Sequence, residues 1–302
     1  MIAQRQLLDL DGMDRTDVEA LIARAGELKK GVAGADRALV GRIVLGMFFE
    51  PSTRTVISFA VATHRLGGLW LNFDAAGSSL EKGESLEDTM RTVKATGVDA
   101  VVVRHPESGY PHALARHFGG CVINAGDGSH AHPTQGILDA MTLLEEFGDL
   151  SGRHVIIVGD VVHSRVARST TRALSLLGAQ VTLCAPPMLL PSGDPIWGTA
   201  RRAHDLDACL PSADAVMLLR IQKERAAASE LPPPSDLAGE YGLTESRAEK
   251  LPKHCIVMHP GPVNRGVEIA HSIVAGSRSR IDRQVENGVF VRMAVLEWGL
   301  GR

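Results

Sequence analysis

Apolar and polar positions along this 302-residue chain alternate between a helical and an extended period almost from end to end. Thr16 and Glu19 are spaced as a capping box, and Val18, Leu21, Ile22, Ala25 and Leu28 then mark one helical face. The apolar run from Ile43 to Phe49 follows as a buried strand. Next come a helical pattern over Thr55–Leu66, a strand over Leu69–Phe73, a helix near Leu86–Thr96, and strands over Asp99–Arg104 and Cys121–Asn124. Strands separated by helices predict a parallel sheet covered on both faces.

A long helical pattern from Pro133 to Phe147 runs into the turn-rich Gly148-Asp149-Leu150-Ser151-Gly152, and a second series of strands starts there. Its apolar runs are His154–Val158, Gln180–Cys184, Asp214–Leu219 and Cys255–Met258. Residues 226–241 contain Pro232-Pro233-Pro234 and show little periodicity, which predicts a long exposed loop able to close over a site. The stretch Gln284–Leu300 reads as an amphipathic helix with Val285, Val289, Met293, Leu296 and Leu300 on its apolar side. The expected fold class is α/β, with two domains, each a parallel sheet flanked by helices.

Composition narrows the function. Lysine and arginine total 32 against 35 acids, a net charge of −3, so no global attraction to polyphosphate exists and nucleic acid is not an expected partner. No run of about 18 apolar residues occurs, so no membrane partner is expected. The N-terminal stretch carries acids where a secretory signal needs an apolar core. Cys121, Cys184, Cys209 and Cys255 lie far apart without metal-finger or redox spacing, and three of them fall in or beside apolar runs, so buried free thiols and a reducing cytoplasm are expected.

Seven polar segments follow strands. Glu50-Pro51-Ser52-Thr53-Arg54-Thr55 lies between a strand and a helix, where free N–H groups and the helix dipole favour an anion; a plain helix cap is the competing reading. Ser78-Ser79-Leu80-Glu81-Lys82-Gly83 is a polar loop whose lysine either reaches into a phosphate site or is a solvated surface charge. Arg104-His105-Pro106 and Asp127 to Gln135 stand at strand ends, with His132 and Gln135 straddling a proline. His130-Ala131-His132 also suits a metal-dependent hydrolase, though no second H-x-H or paired-acid motif accompanies it. After Val158 only one glycine of a dinucleotide fingerprint is present, so dinucleotide binding is not expected, while Arg165 and Arg168 near a helix start would be favoured by a bound carboxylate. Leu218 to Arg225 and His259 to Ile269 deliver further polar groups to the same kind of rim.

Taken in this order, the segments F-F-E-P-S-T-R-T, S-S-L-E-K-G-E, V-R-H-P, N-A-G-D-G-x-H-x-H-P-T-Q, H-S-R-V-A-R-S, L-R-I-Q-K-E-R and H-P-G-P-V-N-R-G-V-E-I closely resemble the aspartate carbamoyltransferases, over about Leu45 to Met293. The resemblance implies transfer of a carbamoyl group from carbamoyl phosphate to L-aspartate, an early step of pyrimidine assembly. It implies a carbamoyl phosphate-binding domain over residues 1–135, an aspartate-binding domain over 136–283, and a C-terminal helix over 284–302 that packs back on the first. The phosphate group would rest on Ser52, Thr53, Arg54, Thr55 and Arg104, with Ser79 and Lys82 reaching in from an adjacent chain. A homotrimer with shared sites follows, open to a regulatory or dihydroorotase partner.

The same resemblance gives His132 and Gln135 the carbamoyl end, with the Gly261–Pro262 backbone accepting from its amide. Arg165, Arg220 and Gln222 would hold the two carboxylates of aspartate, joined by Lys82. Glu50 would pair with Arg165 and Arg225 on domain closure. Catalysis would fall to Arg54, Thr55, Lys82, Arg104 and His132, with no metal and no organic cofactor needed. Ornithine enzymes carry H-C-L-P where this chain has His259-Pro260-Gly261-Pro262, which favours a dicarboxylate acceptor. A carbamoyltransferase for another amine and a catalytically weak structural paralogue are the alternatives. One departure stands out: the family commonly reads S-T-R-T-R with a glutamate four residues later, and Val56 and Ala60 occupy those places here. Both partners of that ion pair are missing together, so no charge is stranded.

Overall fold

The computed structural model describes residues 5–31, 37–74, 83–193, 195–220 and 234–301. The chain divides into two compact units, 1–138 with 286–302, and 139–285. In the first, α1 (Arg15–Lys29), β1 (Ile43–Phe48), α2 (Thr53–Arg65), β2 (Leu69–Phe73), α3 (Leu86–Ala95), β3 (Ala100–His105), α4 (Tyr110–Phe118) and β4 (Cys121–Asp127) lead into α5 (Pro133–Phe147). Its four strands are all parallel in the order β2-β1-β3-β4.

The predicted strands and helices lie where the periodicity put them, with ends shifted by a few residues. The first helix is the exception in detail, because its cap is two residues earlier than expected. Asp14, not Thr16, accepts from the Asp17 N–H, and the Asp17 carboxylate accepts from the Asp14 N–H. A carboxylate at both box positions complements the positive end of the helix dipole better than a hydroxyl.

One face of the first sheet packs Leu45, Met47, Val101, Val103 and Val122 against Met90 and Val93 of α3 and Leu114 and Phe118 of α4. Each such side chain contributes about 1.5–3 kcal/mol through burial. Toward α2, Trp70 of β2 stacks on Phe59 at 6.4 Å between centroids and lies across Gly46. A Cβ at Gly46 would clash with the Trp70 indole, so only glycine allows this approach.

The second unit carries β5 (His154–Val158), α6 (Arg165–Leu176), β6 (Gln180–Cys184), β7 (Arg201–Ala203), α7 (Leu206–Cys209), β8 (Ala215–Leu218), α8 (Pro234–Tyr241), α9 (Glu245–Ala248), β9 (Ile256–Met258) and α10 (His271–Val274). Its five strands are also parallel, in the order β7-β6-β5-β8-β9. The loop expected over 226–241 is corrected in its last part. Residues 234–241 form α8, which buries Leu237 and Tyr241 and lets the Tyr241 hydroxyl donate to the His204 carbonyl at 2.9 Å. Tertiary burial supplies what local periodicity lacked, and Pro234 is tolerated at the first helical position.

The terminal helix α11 (Ile281–Gly299) crosses from one unit to the other. In the first unit Glu297 accepts from Arg24 at 2.6 Å, Asn287 accepts from Lys29 at 2.6 Å, and Arg292 lies 5.1 Å over the Phe59 ring. Val285, expected on the apolar side, is exposed, while Gln284 and Asn287 are buried because hydrogen bonds rather than apolar contacts seat that turn. Cys121, Cys184 and Cys255 are buried free thiols, and desolvation pushes each up to about 12.

Candidate active site

In the first unit the C-terminal ends of three strands stand side by side. Phe48 of β1 pairs with Arg104 of β3, His105 of β3 pairs with Asp127 of β4, and the Phe49 N–H donates to the Arg104 carbonyl at 2.9 Å. Strand order reverses between β1 and β3, which is where a parallel sheet opens a crevice for ligand. The segment 50–55 leaves one side of that crevice and Arg104 the other.

Ser52 occupies the N-cap position of α2, yet its hydroxyl makes no capping bond, and the first turn carries no acidic residue. The plain-cap reading therefore fails for Ser52. Thr53 and Arg54 are exposed beside it, whereas Thr55 is buried. Backbone N–H groups, hydroxyls and a guanidinium at the positive end of a helix suit a bound phosphate. The Arg104 Nε donates to Glu50 Oε2 at 3.1 Å, so within this unit Glu50 orients Arg104.

His132 directly precedes α5 and is buried, as is Gln135, and the His132 carbonyl accepts from the Gln135 N–H at 2.9 Å and the Gly136 N–H at 3.2 Å. The hairpin-like loop before it is held by Asp127. This buried carboxylate accepts from Asn124 Nδ2 at 2.7 Å, the Gly109 N–H at 2.7 Å, the Ala131 N–H at 3.0 Å and His130 Nδ1 at 3.1 Å. Burial alone would raise its pKa, but the hydrogen bonds from His130, Asn124 and Gly109 hold it below the ordinary carboxylate range.

His130 is thus directed to Asp127. Its other potential metal-ligand neighbours are Asp9 and Asp11, and no grouping of three or more potential ligands among the described residues includes His132. Asp9 is itself engaged with His112 Nε2 at 2.9 Å. Among the described residues His130 and His132 share no three-ligand group, which does not suit the hydrolase reading.

Sequence reasoning passed over an aromatic platform at the same rim. The His105 and Tyr110 rings stack at 3.6 Å with planes 4° apart, and Phe49 meets both edge-on. Burial lowers the His105 pKa, so the ring is neutral, and its Nδ1 accepts from the Glu107 N–H at 3.0 Å.

In the second unit the reversal of strand order falls between β5 and β8. Beyond β5, Ser164 caps α6 by accepting from the Ala167 N–H at 3.1 Å, and Arg165 is the first helical residue, half-buried. Beyond β8 stands Arg220, also half-buried. Two arginines thus follow the strands on either side of this second crevice, and arginine's planar donor fork matches carboxylates. Beyond β9, which pairs with β8, the chain turns at Gly261, whose φ of +69° favours glycine, and the Gly261–Pro262 peptide is cis. Ser79, Lys82, Gln222 and Arg225 lie outside the described residues.

The family model described as aspartate/ornithine carbamoyltransferase, carbamoyl-P binding domain, matches residues 5–145, and its companion, the Asp/Orn binding domain, matches residues 151–298. The aspartate carbamoyltransferase catalytic subunit of Myxococcus xanthus is 50% identical over 293 residues, covering 97% of this chain and 98% of that protein. The corresponding subunit of Chloroflexus aurantiacus is 48% identical over 299 residues, covering 97% of each. Among solved structures, aspartate transcarbamoylase from Trypanosoma cruzi in complex with carbamoyl aspartate and phosphate superposes with a TM-score of 0.88 at 31% identity, covering 99% of this chain and 97% of that one. Ornithine carbamoyltransferase from Thermus thermophilus gives 0.87 at 28% identity, covering 98% of each. Both family models across nearly the whole length, with relatives about half identical over 97% of the chain, make this chain a member of the aspartate/ornithine carbamoyltransferase family.

Proposed function

We infer that the protein is an aspartate carbamoyltransferase, converting carbamoyl phosphate and L-aspartate to N-carbamoyl-L-aspartate and phosphate at an early step of pyrimidine assembly. The observation that carries this reading is the placing of Arg165 and Arg220 at the crevice of the second sheet, a cationic pair suited to a dicarboxylate. A cationic acceptor side chain would meet repulsion there.

The first unit then serves as the carbamoyl phosphate domain and the second as the aspartate domain. The α2 N-terminus with Ser52, Thr53, Arg54 and Thr55 receives the phosphate, and Arg104, held by Glu50, faces it across the crevice. The aspartate amine attacks the carbamoyl carbon to form a C–N bond. Electrons move onto the carbonyl oxygen, where Arg104, His132 and the Thr55 hydroxyl oppose the charge. Collapse breaks the bond from carbon to the phosphate oxygen, and the departing phosphate takes the ammonium proton. His132 and Gln135 hold the carbamoyl end, while the Gly261 and Pro262 carbonyls accept from its amide. Lys82, Ser79 and Gln222 complete the set.

A homotrimer with shared sites is part of this reading. It is supported by the apolar side chains that unit 1 leaves exposed, Leu69 at 53% and Leu71 at 40% on edge strand β2 and Ile57 at 56% on α2. Free thiols suit a reducing cytoplasm, and among the described residues no helix is long and apolar enough to cross a membrane. The test is product formation from carbamoyl phosphate with aspartate or ornithine as acceptor. Carbamoyl aspartate is the expected product, and citrulline, or no product with either acceptor, would overturn the assignment.

A further inference from the structure

The turn that offers the Gly261 and Pro262 carbonyls is gripped from below by buried polar side chains. The Gly261 N–H donates to His259 Nδ1 at 2.8 Å. A ring nitrogen that accepts carries a lone pair, so the imidazole proton sits on Nε2, and that N–H donates to Glu268 Oε1 at 3.1 Å. The same oxygen accepts from the Asn264 N–H at 2.5 Å, closing residues 259–268 into a loop. His259 and Glu268 side chains are 0% and 3% exposed. Among the described residues the second Glu268 oxygen is buried with no hydrogen-bond partner.

The grip continues inward. The His259 N–H donates to Gln284 Oε1 at 2.9 Å, Gln284 Nε2 donates to Asp139 Oδ1 at 2.8 Å, and the Thr170 hydroxyl donates to Asp139 Oδ2 at 2.7 Å. Thr170 lies on α6, the helix that begins with Arg165. Apolar side chains of similar shape would close the same loop without leaving a carboxylate oxygen unmatched in the interior, so closure alone does not account for the choice of residues.

We propose that His259 and Glu268 are positioning residues for carbamoyl transfer: the imidazole fixes the orientation of the Gly261 peptide through its Nδ1 lone pair, and Glu268 fixes the tautomer that makes Nδ1 an acceptor. This rests on the reading above, in which the Gly261 and Pro262 carbonyls receive the carbamoyl amide. Neither residue touches substrate. A displacement of about 1 Å in those carbonyls is enough to cost about 100-fold in rate.

Two substitutions of His259 separate positioning from loop closure. His259→Asn places an amide oxygen near the Nδ1 position, keeping the acceptor for Gly261 and losing the link to Glu268. His259→Gln places an amide nitrogen near Nε2, keeping that link and losing the acceptor. Both are measured in the intact protein for KM of carbamoyl phosphate, kcat and melting temperature, beside Glu268→Gln, which retains an oxygen toward His259 and Asn264, and Glu268→Ala, which does not. The expected result is a carbamoyl phosphate KM raised at least 10-fold more in His259→Gln than in His259→Asn at similar melting temperatures, with Glu268→Gln recovering most of what Glu268→Ala loses. Equal KM values for the two His259 variants, with changes confined to melting temperature, would overturn the proposal. An inactive wild-type protein would instead refute the activity, and the variants are then compared by the melting-temperature rise that carbamoyl phosphate confers, with the same ordering expected and equality again overturning it.

Discussion

Replacing Asp127 by alanine should damage both stability and turnover, although the residue lies outside every group that meets substrate. The carboxylate is fully buried and accepts four hydrogen bonds, two from backbone N–H groups of Gly109 and Ala131 and two from the side chains of Asn124 and His130. Alanine strands the Gly109 and Ala131 donors in the interior at about 1–3 kcal/mol each, and water entering the small void recovers part of that. A loss of about 3–5 kcal/mol is expected, a large fraction of the ~5–15 kcal/mol that a native protein has.

At roughly 2–4 °C per kcal/mol for a protein of this size, the melting temperature should fall by about 6–20 °C. The loop that Asp127 anchors carries His132, so kcat should fall as well. Because the folded carboxyl titrates below its ordinary range, its contribution is complete at neutral pH, above the unfolded pKa, and disappears as pH falls through the folded value. Wild type should therefore lose stability on acidification more steeply than Asp127→Ala. Thermal unfolding followed by circular dichroism between pH 7 and pH 2, with carbamoyl transfer assayed at pH 7, measures all three. A melting temperature within 2 °C of wild type at pH 7 and unchanged kcat would refute the reasoning.

Arg54→Ala should reduce kcat/KM by about 100- to 1,000-fold, the usual loss for one donor to developing charge, while moving the melting temperature by less than 2 °C, since Arg54 is exposed. Near-normal steady-state activity would remove it from the phosphate cradle. Ser52→Ala should cost under about 0.5 kcal/mol, less than the ~1 kcal/mol typical of an N-cap, because its hydroxyl caps nothing; denaturant titration checks this, and a several-fold higher KM for carbamoyl phosphate should accompany it. Arg220→Ala should raise the KM for aspartate at least 10-fold and leave carbamoyl phosphate binding within a few-fold, read by varying each substrate separately.

Much of this molecule is legible in its sequence because its signals are local. Buried parallel strands must be apolar on both faces, so Ala100–His105, His154–Val158 and Gln180–Cys184 stand out as short runs between helical stretches. The polar segments that follow them are found by the same scan, which is why Ser52 to Thr55, Arg104, His132, Gln135, Arg165 and Arg220 were all singled out as candidates. The motifs then carried the family.

What the sequence did not determine depends on partners distant along the chain. Strand order, and with it the two crevices, follows from which strands pair, and no local period encodes pairing. Residues 234–241 became helix because Leu237 and Tyr241 found a core to enter, and Val285 turned outward because Gln284 and Asn287 found hydrogen-bond partners. The pairing of Glu50 with Arg104 joins residues 54 positions apart, and the network under Gly261 runs from Asp139 to Gln284. A hydrogen bond between buried side chains leaves no periodic trace in either segment, so only the folded chain decides which polar residues are chemistry and which are the frame that aims it.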